Sequence, residues 1–135
     1  LIRQEPFGRV SFTGSAEGGR EIYRTISNTD DWLIGVDMEL GGSDPAYVTA
    51  DTKLDIAVEA IVRGALHNAG QSCSSVERLF VHKEVHDEFV DKAVDFIEKN
   101  YKIGDPLNEY TNLGPLTLPD QPRLIHDRIA EATSE

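Results

Sequence analysis

The chain has 135 residues, 39% apolar and 27% charged, the make-up of an ordinary folded domain rather than a disordered tail. Against 13 Lys and Arg stand 24 Asp and Glu, a net charge of −11. A surface this acidic repels phosphate, so nucleic acid and anionic membrane are excluded as expected partners, and no apolar run approaches the roughly 18 residues that span a bilayer. The acids are scattered, which reads as a solvated surface. The single cysteine, Cys73, excludes an internal disulfide framework and fits a reducing compartment, here expected to be cytoplasmic. Leu1 to Gly8 lacks the charged-then-apolar pattern of a signal peptide. The sole methionine is Met38, so the chain is expected to be a processed product, a designed piece or an incomplete reading frame.

In chain order, Arg9 to Thr13 alternates and is β-prone, predicting a strand. Gly14-Ser15 turns into a helix expected from Ala16 to about Ser27, and Asn28 to Asp31 are loop formers that end it. Trp32 to Leu40 contains a second strand. Gly41 to Pro45 predicts a turn, and Ala46 to Thr49 a short strand. A helix is expected from about Lys53 to His67, with Leu54, Val58, Ile61, Val62, Ala65 and Leu66 on one stripe. Thr52 with Asp55 suggests its cap. Asn68 to Ser74 is a polar loop, and Arg78 to Val81 a strand. Glu84 to Tyr101 predicts an amphipathic helix with Val85, Phe89, Val90, Ala93, Phe96 and Ile97 on one side. Gly104-Asp105-Pro106 and Leu113-Gly114-Pro115 break the chain. Gln121 to Thr133 is a last, mostly polar helix whose partner surface is expected outside this chain. The order predicts an α/β fold with a largely parallel sheet and crossover helices.

Three places carry chemical potential. Gly14, Ser15 and Gly19 lie where a strand passes into a helix. Free N–H groups at that helix start suit a dinucleotide's phosphates, while a tight turn capped by Ser15 explains the same residues. The spacing is not G-x-G-x-x-G. Cys73 sits in the loop Asn68-Ala69-Gly70-Gln71-Ser72-Cys73, as a nucleophile or as a small buried hydrophobe. Glu39 ends an apolar strand, as a general base or as an exposed strand-end acid. His67, His82, His86 and His126 read as surface residues, and His82 and His86 straddle a strand end and a helix start without a third ligand, so no metal site is expected.

These segments, in this order, resemble the aldehyde dehydrogenase superfamily. The resemblance rests on Phe12-Thr13-Gly14-Ser15 with Gly19, on Glu39-Leu40-Gly41-Gly42-Ser43-Asp44-Pro45 and on Gly70-Gln71-Ser72-Cys73. Arg78-Leu79-Phe80-Val81, Asp87-Glu88-Phe89-Val90, Gly104-Asp105-Pro106-Leu107 and Leu113-Gly114-Pro115 also follow it. The Glu-Leu-Gly-Gly and Gly-Gln-x-Cys segments are the specific ones, and the interval from Glu39 to Cys73 suits the family.

The resemblance implies an aldehyde dehydrogenase-like α/β fold. Residues 1–38 would end the Rossmann-type cofactor domain, and residues 39–135 would form the first half of the catalytic domain. It implies that Cys73 attacks a small aldehyde, that hydride passes to NAD or NADP, and that Glu39 activates the water that hydrolyses the thioester. Gly14, Ser15 and Gly19 would lie beside the dinucleotide and Leu40 near the nicotinamide. Glu39 favours hydrolysis over transfer to coenzyme A. The family's oxyanion asparagine and adenosine-ribose contacts would lie upstream of Leu1. Its nicotinamide-ribose acid and oligomerisation hairpin would lie beyond Glu135, and the longer parent is expected to be a homo-oligomer. Two other readings remain: a non-catalytic chain acting as a structural or interaction piece, and esterase or thiol chemistry from Cys73 alone.

Overall fold

The computed structural model of the chain describes residue 2, residues 7–28 and residues 33–134. Part of the loop expected at Asn28 to Asp31, and Trp32 at the start of the second strand window, lie outside the described residues. The fold is α/β, with helices and parallel strands, and divides into two compact units, Leu1–Gly42 and Ser43–Glu135.

In the first unit, β1 (Arg9–Thr13) pairs in parallel with β2 (Gly35–Glu39), joined through α1 (Ala16–Ser27). Alternation does the work. Val10 and Phe12 stand opposite Val36 and Met38, and all four are partly buried. On the other face Arg9 Nη1 donates to both carboxylate oxygens of Asp37, at 2.8 and 2.7 Å, and Ser11 Oγ donates at 3.3 Å. Chiefly through that guanidinium hydrogen bond, Asp37 is held below the usual carboxylate range. Ser15 caps α1, accepting the Gly18 N–H at 3.0 Å. At the far end Asn28 Nδ2 donates to the Arg24 carbonyl at 2.7 Å.

In the second unit, β3 (Asp44–Val48) pairs in parallel with β4 (Val76–Val81), joined through α2 (Leu54–Leu66). The expected parallel pairing is present, as two two-stranded sheets. Asp44 and Pro45 stand in β3, not in a turn. Among the described residues β3 pairs on one side only, and the register shifts between Asp44 and Pro45, which is where a residue without an N–H is tolerated in a strand. The core is Val48, Leu54, Val58, Val62 and Phe89. Leu54, Val58 and Val62 recur every four residues, so one face of α2 is buried against α3 (His86–Asn100). On α3, Phe89 is buried, while Val90 and Ile97, expected on the same side, are exposed.

The cap of α2 also differs from expectation. Lys53 is the N-cap and its side chain makes no capping bond. Thr52 Oγ1 instead accepts the Thr49 N–H at 3.1 Å, and Asp55 pairs with Lys92 of α3. A fourth helix, α4 (Gln121–Thr133), carries Pro in its first turn, where a missing N–H is harmless. No α4 residue is buried, and Leu124, Ile125 and Ile129 are exposed.

Candidate active site

The first unit gathers five of the expected site residues. Parallel pairing sets Thr13 opposite Glu39, and the Gly14 N–H continues the ladder by donating to the Glu39 carbonyl at 3.0 Å. That bond ties the glycine turn to the end of β2. The Glu39 side chain is exposed and has no hydrogen-bonding or ionic partner among the described residues. Gly19 is buried beneath Leu40, and a Cβ there would stand 3.0 Å from Leu40 Cδ2 and 3.6 Å from Met38 Sδ. Gly14 and Gly18 are roofed by Phe12, whose ring would meet added Cβ atoms at 2.6 and 2.9 Å. These glycines thus allow close packing of the turn. At the start of α1, the N–H groups of Ala16 and Glu17 have no acceptor among the described residues, as a helix N-terminus requires unless something supplies one.

Cys73 stands in the second unit, so the thiol and the carboxylate are carried by different units. After α2 the chain turns through three consecutive left-handed residues, Asn68 (φ 51°), Ala69 (φ 58°) and Gly70 (φ 74°). Glycine accepts this without cost and asparagine readily. Ala69 does so at a cost of about 1 kcal/mol, which the surrounding bonds must offset. Asn68 Nδ2 donates to the Gln71 carbonyl at 3.1 Å, and Gln71 Nε2 returns a bond to the Asn68 carbonyl at 2.9 Å. A second turn follows, closed by the Ser75 N–H donating to the Ser72 carbonyl at 3.2 Å. Cys73 lies inside it with an exposed thiol. Neither its Sγ nor its own N–H has a partner among the described residues.

Ser75 was not singled out by sequence and anchors this turn. It is only 2% exposed, and its hydroxyl is placed 3.1 Å from the Ala65 carbonyl and 3.3 Å from that of Gly64, at the end of α2. The available signal was only its place directly before the β-prone run from Val76, and Ser72 and Ser74 beside it blur that signal. The histidines do not converge: His82 Nδ1 accepts the Glu84 N–H at 3.3 Å, and His86 pairs with Asp87 at 2.9 Å. Among the described residues no group of three His, Cys, Asp or Glu is placed to hold a metal ion, and no helix is long and apolar enough to cross a membrane.

The family model for the aldehyde dehydrogenase family matches residues 1–135. The chain belongs to the aldehyde dehydrogenase family. Retinaldehyde dehydrogenase 3 of Mus musculus is 40% identical over 107 residues, covering 79% of this chain and 20% of the relative. Among solved structures, an NAD-dependent aldehyde dehydrogenase from Sinorhizobium meliloti superposes with a TM-score of 0.87 at 33% identity, over 98% of this chain and 26% of that one. A 1-pyrroline-5-carboxylate dehydrogenase from Thermus with bound NAD gives 0.88 at 27% identity, over 100% of this chain and 26% of that one. This aldehyde dehydrogenase chain therefore spans about a fifth to a quarter of the length of these three relatives.

Proposed function

We propose that the chain serves as the segment of an aldehyde dehydrogenase that oxidises an aldehyde to a carboxylic acid with NAD or NADP through a thioester on Cys73. Residues 1–38 close the cofactor domain and residues 39–135 open the catalytic domain, in a protein acting in the cytoplasm. The observation that carries this is the exposed Cys73 thiol beside its own unused N–H. An attacking sulfur and a donor for the resulting oxyanion are then supplied by one residue.

The Cys73 thiolate attacks the aldehyde carbon, forming the S–C bond and placing the electron pair on oxygen, where the Cys73 N–H holds it. NAD or NADP, when bound, supplies the acceptor for the hydride lost from that carbon. Loss of the hydride leaves a thioester. Glu39 takes a proton from water, hydroxide adds to the thioester carbon, and cleavage of the C–S bond releases the acid and restores the thiolate. The exposed, unpaired state of the Glu39 carboxylate supports this role. The vacant N–H groups of Ala16 and Glu17, with Gly14, Ser15, Gly19 and Leu40 around the turn, have the donor chemistry to hold the cofactor's anionic group.

The test is formation of NADH or NADPH from a panel of aldehydes by the protein that carries this chain. Cys73→Ala should lower turnover by about 10^4-fold or more, as loss of a covalent nucleophile does. Glu39→Gln should let the acylated Cys73 accumulate, visible by intact mass. Turnover surviving Cys73→Ala would sink the reading. The same protein assayed with no aldehyde-dependent reduction at all would favour the structural or interaction piece.

A further inference from the structure

Cys73 has no side-chain tether among the described residues, so its placement depends on its neighbours. On one side Ser75 is buried against the end of α2. On the other stands Gln71, whose carboxamide reaches across to a distant segment. Its Oε1 accepts the Thr117 N–H at 2.7 Å, and its Nε2, besides bonding the Asn68 carbonyl at 2.9 Å, lies 3.5 Å from the Pro115 carbonyl.

The far end of this link is itself anchored. Leu113 bridges in parallel to Ile103. Asn112 Oδ1 accepts the Lys102 N–H at 2.7 Å, and the N–H groups of Asn112 and Leu113 both donate to the Lys102 carbonyl, at 3.2 and 3.1 Å. Asn112 Nδ2 also donates to the Asn100 carbonyl at the end of α3. A continuous set of bonds therefore runs from the end of α3, through residues 112–117, into the loop two residues before the thiol.

We infer that Gln71 is a positioning residue for Cys73, fastening the thiol's loop to the backbone at Pro115 and Thr117. The inference rests on the reading of Cys73 as the nucleophile. The physical need is clear in the loop itself. Ala69, left-handed between Asn68 and Gly70, holds the backbone in a costly shape, and only an over-determined surround keeps such a shape. Without the carboxamide the loop keeps its local backbone bonds to Asn68 and the Ser75 anchor, but loses its ties to Pro115 and Thr117. A displacement of about 1 Å at a reacting atom lowers rate by about 100-fold.

The experiment compares Gln71→Ala, Gln71→Glu and Thr117→Pro with the parent and with Cys73→Ala. Thr117→Pro removes the donated N–H from the opposite side without touching Gln71. Gln71→Glu keeps an acceptor for Thr117 but loses the donor to Asn68. In the 135-residue chain, hydrogen exchange at Thr117 should speed up by about tenfold or more in Gln71→Ala while α2 keeps its protection. In the protein that carries the chain, kcat should fall by about 10- to 100-fold with KM little changed, and Gln71→Glu should recover part of it. Unaltered Thr117 exchange in Gln71→Ala overturns the inference. So does unaltered kcat in both Gln71→Ala and Thr117→Pro when Cys73→Ala is inactive. A loss in KM alone, or loss of fold in Gln71→Ala with normal kcat in Thr117→Pro, overturns it as well. Turnover that survives Cys73→Ala instead removes the functional reading, and the exchange result still decides whether the link exists.

Discussion

The two units are held together in different ways. In residues 43–135 five apolar side chains are buried, and the loop bearing Cys73 leaves directly from the helix that supplies three of them. In residues 1–42 the buried position among the described residues is Gly19, which has no side chain to contribute. There partly buried apolar side chains, Val10, Phe12, Val36 and Met38, share the work with a five-residue ladder, a helix cap and an exposed ion pair. The thiol thus stands on a fully buried core and the carboxylate on half-buried packing with hydrogen bonds, so the two should answer to different perturbations.

The sharpest probe is Phe89→Ala. Phe89 is 3% exposed at the junction of α2 and α3, and its loss should cost about 3–5 kcal/mol in urea unfolding followed by circular dichroism. A loss below about 1 kcal/mol would mean that this core does not hold the second unit. Ser75→Ala comes next. Removing a buried hydroxyl that serves the carbonyls ending α2 should cost about 1 kcal/mol or somewhat more, and hydrogen exchange should quicken at residues 72–75 before it does elsewhere. In the first unit, Ser15→Ala should cost about 1 kcal/mol and speed exchange at the Gly18 N–H. If exchange throughout residues 43–135 rises in step, the units unfold as one and the contrast is lost.

The smallest effect is electrostatic. Asp37 has its carboxyl lowered from an ordinary 3.8 by the Arg9 hydrogen bond, so its folded state favours the ionised form. Its contribution is complete well above that value, begins to fall as the pH drops below it, and is gone below the folded-state value. Asp37→Asn should remove this acid-side loss in a pH series of β1–β2 exchange. Because both partners are exposed, added salt should shrink the difference. An acid response identical in Asp37→Asn would show that the ion pair does not order the ladder.

Much of the fold was legible because its signals are local. β1, α1 and α4 span the predicted residues, β1 on its alternation and α1 after the Gly-Ser turn. Asp44 and Pro45 were misread because turn-forming chemistry is a property of the residue, whereas strand membership depends on β4, which lies more than 30 residues away. The cap of α2 was misread for a related reason: Asp55 finds Lys92 of α3, a partner invisible at the helix start. Among the site residues, Ser15's cap was legible from its own chemistry. Gln71 was visible only as part of a motif, since its partners at Pro115 and Thr117 are 44 and 46 positions away.

The sequence by itself determined the family and the α/β order of elements, and it supplied Cys73 and Glu39 as the residues proposed for nucleophile and base. Residue identity and short-range periodicity carry all three. Only the tertiary structure decided that the strands pair as β1 with β2 and β3 with β4, that the glycines at 14, 18 and 19 make room for Phe12 and Leu40, and that the Cys73 loop is bound at both ends. Those facts depend on which distant backbone groups meet, and a hydrogen bond across more than 40 residues leaves no mark in the spacing of the chain.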